Sequence, residues 1–358
     1  MPSNKVVLAS VTTGLTMHRQ SVKTVVLLAI AFIAASTTLN CGQSAAAEPE
    51  LRIGIIGLDT SHVLHFTKLI NGGSLPEGAG CRITAAYPQG SRDIESSVSR
   101  VPGYVQQLSD MNVEIVDSID ALLQRVDAVL LETNDGRPHL EQALPVLRAR
   151  KPLFVDKPMA ASVADVLAMF EAAKHYQTPI FSTSALRYGA GTAAVYGGSI
   201  GKVLGCDTFS PCGLEKTHPD LSWYGIHGVE SLFTIMGTGC QTVSRSSTEG
   251  SELAVGVWEG GRIGSYRGMR VGAQQYGGMA FGDSGNQAVG GYDGYEPLVV
   301  DILKFFRGGD SPVSQQETIE VFAFIEAADE SKRLGGRPVA LAKVIAEAQI
   351  EAEQKRSW

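Results

Sequence analysis

The chain has 358 residues, with 30 basic and 37 acidic side chains, a net charge of −7, 44% hydrophobic residues and 19% charged residues. That length accommodates two domains with their own cores, and the composition excludes disordered, coiled-coil and multi-span membrane classes. An acidic balance without a polybasic block argues against nucleic acid as a partner, because little is available to neutralise a phosphate backbone. Five scattered cysteines with no Cys-x-x-Cys pair support neither a disulfide scaffold nor a zinc ribbon.

Residues 1–47 contain Lys5, Arg19 and Lys23 but no acid, and Thr24 to Ala35 is an apolar run too short to span a bilayer. With Ala45-Ala46-Ala47 before Glu48, these features predict a signal peptide over 1–47 and an exported, periplasmic or otherwise extracytoplasmic protein with no stable membrane span after cleavage. The basic stretch His18 to Lys23 makes Met17 an alternative start. Without Lys5, Arg19 and Lys23 the remainder carries 27 basic against 37 acidic groups, about −10.

From Leu51 onward, strands and helices alternate. Leu51 to Gly57 reads as a buried strand, and His62 to Ile70 has helical spacing behind the capping side chains Asp59, Thr60 and Ser61. Strands are predicted at Cys81 to Tyr87, Val113 to Val116, Val126 to Glu132, Leu153 to Asp156 and Pro179 to Ser182. Helices are predicted at Ile119 to Gln124, Leu140 to Arg150 and Val163 to His175. Such alternation predicts a Rossmann-like, doubly wound parallel sheet over 48–183, since parallel neighbours need crossover connections.

After Ser184 the pattern predicts a C-terminal α/β domain, 184–358, with an open and mostly antiparallel sheet. Lys202 to Ser210 and Ala254 to Met269 alternate like half-buried strands, the latter around the turn Glu259-Gly260-Gly261-Arg262. Ser222 to Met236, Leu298 to Phe306 and Glu317 to Arg333 read as helices. Gly256 to Gly294 holds 13 glycines in 39 residues, and its second half, Gln274 to Tyr295, reads as mobile loops.

The turn Gly57-Leu58-Asp59-Thr60-Ser61-His62 stands where a dinucleotide fold places G-x-G-x-x-G, with Asp59 and His62 at the second and third glycine positions. A carboxylate about 4 Å from a phosphate charge costs about 4 kcal/mol at an effective dielectric near 20, whereas a helix dipole returns ~0.3–2 kcal/mol. A standard pyrophosphate pose therefore requires Asp59 to turn away, and its plainer role is the helix N-cap. No acid ends the second strand to hold an adenosine ribose. Gly90-Ser91-Arg92 instead offers either a 2′-phosphate site, favouring NADP, or a solvated loop.

Leu131-Glu132-Thr133-Asn134, His139 and Lys151-Pro152-Leu153-Phe154-Val155-Asp156-Lys157-Pro158 together resemble the Gfo/Idh/MocA family, whose usual tripeptide at the last position is Glu-Lys-Pro. Ser199-Ile200-Gly201-Lys202-Val203 resembles the start of that family's second domain. Gly225-Ile226-His227-Gly228-Val229-Glu230 is similar to its Gly-x-His-x-x-Asp helix, and Tyr295 to Gly335 resembles its C-terminal helices. The resemblance implies an oxidoreductase using NAD or NADP on a sugar, polyol or related carbohydrate-like substrate, with Lys157 and His227 catalytic. It implies cofactor contacts at Gly57, Asp59, Ser61, Thr133, Asn134, His139, Asp156 and Lys157. It also implies a homo-oligomer built on the open face of the second sheet, around Val255 to Arg267.

Hydride loss from an alcohol also requires removal of the hydroxyl proton, which suits a histidine or a lysine of lowered pKa. One position departs from the family: Trp223 stands where an acid is usual, and with Tyr224 it offers either a sugar-stacking wall or core packing. Two alternative functions stay open, a non-redox carbohydrate-binding or regulatory protein and a glycosidase-like enzyme retaining its nicotinamide cofactor. His218, Asp220, His227 and Glu230 lie close in sequence but match no ligand spacing, so no metal site is assigned.

Overall fold

The computed structural model describes residues 50–358, so the expected signal peptide and the choice between Met1 and Met17 lie outside the described residues. The first half runs β1 (Leu51–Ile56), α1 (His62–Asn71), β2 (Cys81–Tyr87), α2 (Glu95–Asp110), β3 (Glu114–Ile115) and α3 (Ile119–Leu123). It continues through β4 (Ala128–Leu131), α4 (His139–Arg148), β5 (Leu153–Val155), α5 (Val163–Tyr176) and β6 (Ile180–Ser182). The six strands are parallel in the order β3-β2-β1-β4-β5-β6, so the direction of winding reverses between β1 and β4. In such sheets ligands bind outside the carboxyl ends of the strands at that reversal.

Alternation along β1 sends Ile53 and Ile55 to one core with Phe66, Phe154 and Phe181, and Ile56 to the other with Val129, Leu131 and Val155. The sheet is thus covered on both faces, which is why β4 is apolar throughout.

Among the described residues, α2, and in the second half Ala190–Tyr196 and Leu341–Lys355, are helices that escaped the sequence pattern. α2 buries only Ser97 and Leu108 and contains Pro102-Gly103, so it has neither a broad apolar stripe nor uninterrupted helix formers. Its first half nevertheless reaches the ligand cavity, through Ser96 and Arg100.

The second half runs α6 (Ala190–Tyr196), β7 (Val203–Pro211), α7 (Asp220–Trp223), α8 (Ile226–Met236), β8 (Cys240–Ser247), β9 (Ser251–Trp258) and β10 (Ile263–Met269). It ends with β11 (Gly277–Gly282), β12 (Asn286–Val289), α9 (Glu296–Phe306), α10 (Gln315–Arg333), β13 (Val339–Ala340) and α11 (Leu341–Lys355). Its seven strands are ordered β12-β11-β7-β10-β9-β8-β13, antiparallel except for β7 with β10. α8 lies entirely buried against this sheet, whereas α9 returns to the first sheet and places Leu298, Ile302 and Leu303 beside Phe66.

The stretch Gln274 to Tyr295, expected as mobile loops, instead carries two paired strands, β11 and β12, with loops between and around them. Their glycines serve close strand approach: a Cβ on Gly277 would lie 2.5 Å from the Phe209 ring, and one on Gly278 2.5 Å from the Asp207 carbonyl oxygen. Dense glycine erased the alternation of apolar side chains that marks a strand.

Candidate functional site

β1 leads into a turn that only glycine permits. Gly57 has φ +90°, and a Cβ there would stand 2.3 Å from the Thr133 backbone nitrogen. The turns after β1 and β4 are therefore packed directly on each other.

Asp59 fills the second glycine position but does not face the cavity. It is fully buried; Oδ1 accepts the Asn134 N–H at 2.8 Å and Oδ2 accepts the Ser97 hydroxyl at 2.7 Å. Nor does it cap α1. The N-cap residue is Ser61, which makes no side-chain capping bond, and the first turn of the helix carries no acid. Burial pushes the Asp59 carboxyl upward, against the two hydrogen bonds.

A cavity of about 570 Å³ opens beside this turn, within the range of small-molecule sites. Thr60, Ser61, His62, Asn134 and Lys157 line it from the first sheet, and Ser96, Arg100 and Tyr104 from α2. The segment 184–186 and the second half of the chain contribute Trp223, Tyr224, His227, Tyr276, Tyr292 and Tyr295. Of the residues expected from sequence, Lys157, His227, Ser61 and Asn134 thus share one cavity. Gly57, Asp59, Thr133, His139 and Asp156 lie outside its lining. Trp223 and Tyr224, offered from sequence as a sugar-stacking wall, also line it, whereas Ser184, Arg100, Tyr104, Tyr276, Tyr292 and Tyr295 were not anticipated, because they sit in a linker, in α2 and in or beside the glycine-rich stretch.

Lys157 is buried, and among the described residues its Nζ has no hydrogen-bond or ion-pair partner. His227 Nδ1 lies 3.1 Å from Ser184 Oγ, with the rings of Tyr224 and Tyr276 at 5.2 and 5.7 Å. Burial, with the nearby Lys157 and His62, pushes His227 well below the usual histidine range. The ring is neutral at pH 7. When Nδ1–H donates to Ser184, Nε2 is left as an acceptor.

His139 is a fastener. Fully buried, it places Nε2 2.7 Å from the Thr133 carbonyl and Nδ1 3.1 Å from the Met159 carbonyl, joining the turn after β4 to the segment that follows Lys157. Asp156 is occupied by His62, whose Nδ1 stands 2.7 Å from Oδ2. Burial opposes ionisation of Asp156, but His62 and Lys157 hold its carboxyl below the usual range. Next to it, Glu132 is fully buried, and among the described residues neither carboxyl oxygen has a partner. Desolvation, followed by repulsion from Asp156, pushes Glu132 well upward.

The loop after β2 is tied down. The Ser91 hydroxyl donates to Asp135, and Arg137 bridges Asp135 and Asp93, its Nη1 lying 2.9 Å from Asp93 Oδ2. His218, Asp220 and Glu230 do not converge with His227 on a metal site. His218 Nε2 faces Asp135 at 3.0 Å, Asp220 binds Arg245 and Lys332, and Glu230 accepts from Thr183 and Ser184. Trp223 packs against the His218 ring, at 4.7 Å between centroids.

Residues 51–183 match the model of an oxidoreductase family with an NAD-binding Rossmann fold, Gfo/Idh/MocA. The match spans the parallel-sheet domain. Solved structures extend the likeness of fold across both sheets. An oxidoreductase from Thermotoga maritima is 17% identical, covers 82% of this chain and 99% of its own, and superimposes with a TM-score of 0.66. The WlbA dehydrogenase from Bordetella pertussis, solved with NADH and UDP-GlcNAcA, is 17% identical, covers 82% and 98%, and scores 0.64. The scyllo-inositol dehydrogenase from Lactobacillus casei, solved with NAD(H) and scyllo-inositol, is 14% identical, covers 82% and 99%, and also scores 0.64. No curated protein matches the sequence.

Proposed function

We propose that the protein is a nicotinamide-dependent oxidoreductase acting on a sugar, polyol or related hydroxylated ring. The observation that carries this reading is the meeting of Lys157 and a neutral His227 in one cavity, at the carboxyl end of a Gfo/Idh/MocA sheet. The residues present fit the phosphate and nicotinamide parts of such a cofactor. α1 begins without a side-chain cap or an acid in its first turn, Asp59 is turned inward, and Ser61, Asn134 and Lys157 line the cavity. The inositol and UDP-sugar complexes of the structural neighbours support the substrate class.

When bound, the nicotinamide ring supplies the hydride acceptor or donor. The protein's own part is proton handling and orientation. Nε2 of neutral His227 accepts the hydroxyl proton of the substrate, and Ser184 keeps the imidazole oriented. The Lys157 ammonium, without a partner among the described residues, holds the substrate oxygen and stabilises negative charge that develops on it. The tyrosines and Trp223 offer flat apolar surface to a sugar ring and exclude water. Melting of purified protein with NAD+, NADH, NADP+ and NADPH, together with the absorbance of any nucleotide released on denaturation, tests the reading. No shift with any of the four and no released nucleotide would overturn it.

A second reading, non-redox binding of a carbohydrate, is favoured by the bridges between the loops after β1, β2 and β4. Asp59 with Ser97 and Asn134, and Ser91 and Asp93 with the Asp135–Arg137 pair, occupy the crevice where the adenosine half of a dinucleotide ordinarily lies. Saturable melting shifts with polyols but none with nucleotides would select it.

We propose further that residues 1–47 direct export, in which case the cofactor is held tightly and recycled, because nicotinamide is scarce outside the cytoplasm. A mature N-terminus at Glu48 in the extracytoplasmic fraction checks this. The open face of the second sheet is the proposed homo-oligomer interface.

A further inference from the structure

Three side chains from three separate segments of the first sheet domain converge. His62 stands in the first turn of α1, Glu132 directly after β4 and Asp156 directly after β5. One ligand atom from each, the histidine nitrogen and two carboxylate oxygens, lies within 4.8 Å of the others. Glu132 and Asp156 are almost wholly removed from solvent, and among the described residues Glu132 Oε1, Glu132 Oε2 and Asp156 Oδ1 have no hydrogen-bond partner.

Buried carboxyl oxygens are rarely left in this condition, because each forfeits its hydration without compensation. Two buried carboxyl groups with unpartnered oxygens, each placing one oxygen near the His62 nitrogen, form a donor set that a cation would satisfy. Lys157 lies close enough to act on Glu132 electrostatically, but it is one cation against two carboxyl groups, and it makes no hydrogen bond to either.

We propose that His62, Glu132 and Asp156 form a divalent cation site, taking Zn2+ or Mn2+ in preference to Mg2+. An imidazole nitrogen with two carboxylates is a borderline donor set that suits Zn2+ and Mn2+, whereas Mg2+ prefers oxygen donors and retains its waters. Donors bound at about 2.0–2.2 Å to one ion lie about 3–3.6 Å apart, so His62 Nδ1 and Asp156 Oδ2, at 2.7 Å, need part by less than about 1 Å. Closing the remainder takes rotation of the Glu132 carboxylate, which no hydrogen bond restrains. An ion here satisfies the orphaned oxygens and replaces the His62–Asp156 hydrogen bond with two coordinate bonds. It also ties together the turns after β1, β4 and β5, and thereby fixes Lys157, the residue next to Asp156. His62 lines the cavity, which supplies an entry path. The site is independent of whether the cavity is redox-active.

The test uses tag-free protein. Metal content after purification is measured first. Thermal melting and calorimetric titration then follow with Zn2+, Mn2+ and Mg2+ after chelator treatment, for the wild type, Glu132→Gln and His62→Gln. The expected result is one equivalent of Zn2+ or Mn2+ bound saturably, a melting shift at least several-fold larger than with Mg2+, and at least a tenfold loss of affinity in each variant. Glu132→Gln preserves shape, and far-UV circular dichroism confirms that it folds. Absence of a stoichiometric ion combined with no saturable shift overturns the proposal. So does equal metal binding by Glu132→Gln, or a protonated-carboxylic-acid infrared band that persists at saturating metal and disappears in Glu132→Gln.

Discussion

Asp59 Oδ1 accepts the backbone N–H of Asn134 at 2.8 Å, and this bond turns the carboxylate out of the space that a cofactor phosphate would enter. Position in the chain placed an anion in the phosphate site, whereas side-chain direction removes it. Replacing the residue by glycine therefore relieves no repulsion. Asp59→Gly instead leaves the Asn134 N–H and the Ser97 hydroxyl without their buried acceptor, at a cost of about 1–3 kcal/mol. Melting temperature falls and the dissociation constant for nucleotide does not improve, as denaturant unfolding and titration will show.

Lys157→Met and His227→Asn are expected to separate the two chemical roles. His227→Asn lowers kcat about 10²–10⁴-fold with KM little changed, as for loss of a positioned general base. Lys157→Met affects both constants, because the ammonium holds the substrate oxygen before and during the reaction. Ser184→Ala acts only through the imidazole and lowers kcat by less than His227→Asn. Circular dichroism of each variant separates these outcomes from misfolding, and an unchanged kcat in His227→Asn would remove it from the chemistry.

The parallel sheet was legible because its central strands are apolar on both faces and bounded by turns, as in Ala128 to Leu131 and Leu153 to Val155. α2 was not, since a helix that buries only Ser97 and Leu108 leaves little periodicity. In the site, Lys157 and His227 were visible as motif members, and both line the cavity. His139 belongs to the same motif yet spends both ring nitrogens on carbonyl groups. Spacing identifies which residues approach one region but not which way each points. The Glu132 group was invisible for a related reason: its members are separated by most of the domain, and burial without a partner is a property of the folded state alone.

The depressed pKa of His227 sets the acid side of the pH profile. Its neutral form is the base, and burial with the Lys157 and His62 charges lowers its affinity for protons below the ordinary value of 6.5. Activity dependent on that base is retained as pH falls through 6.5 and is lost only at more acid values. The acid limb of kcat against pH should therefore lie below 6.5. A limb at or above 6.5, absent in His227→Asn, would contradict a buried, depressed histidine.

Asp329 shows the opposite sign in a structural setting. Burial pushes its carboxyl up to about 6 although it contacts Arg245, because Arg245 is shared with Glu252 and Asp220. The native state thus holds a proton that the unfolded chain releases near 3.8, and the associated stability is present at low pH and lost as pH rises from about 4 to about 6. The contribution is at most about 3 kcal/mol. Asp329→Asn, which does not titrate, should flatten the stability profile across that window in urea unfolding. A wild-type profile that is already flat there would show that the ion-pair cluster keeps Asp329 ionised.

The open face of the second sheet offers the last test. On β7, β10 and β11 the residues facing away from α8 include Phe209, Ile263, Met279 and Phe281, all exposed, with Ile263 at 56%. Registers align Ile263 with Gly205 on β7 and Val257 on β9, and Gly205 with Phe281 on β11, so an apolar strip crosses four strands. Uncovered apolar strips of this kind mark contact surfaces. A second copy laid on the strip would bury Ile263 near its centre, where a charge has no partner. Ile263→Glu should therefore convert a dimer or tetramer to monomer by light scattering, with melting reduced because the strip is newly exposed to water. A wild-type mass equal to one chain, or an Ile263→Glu mass unchanged from an oligomeric wild type, would place the interface elsewhere or dismiss it.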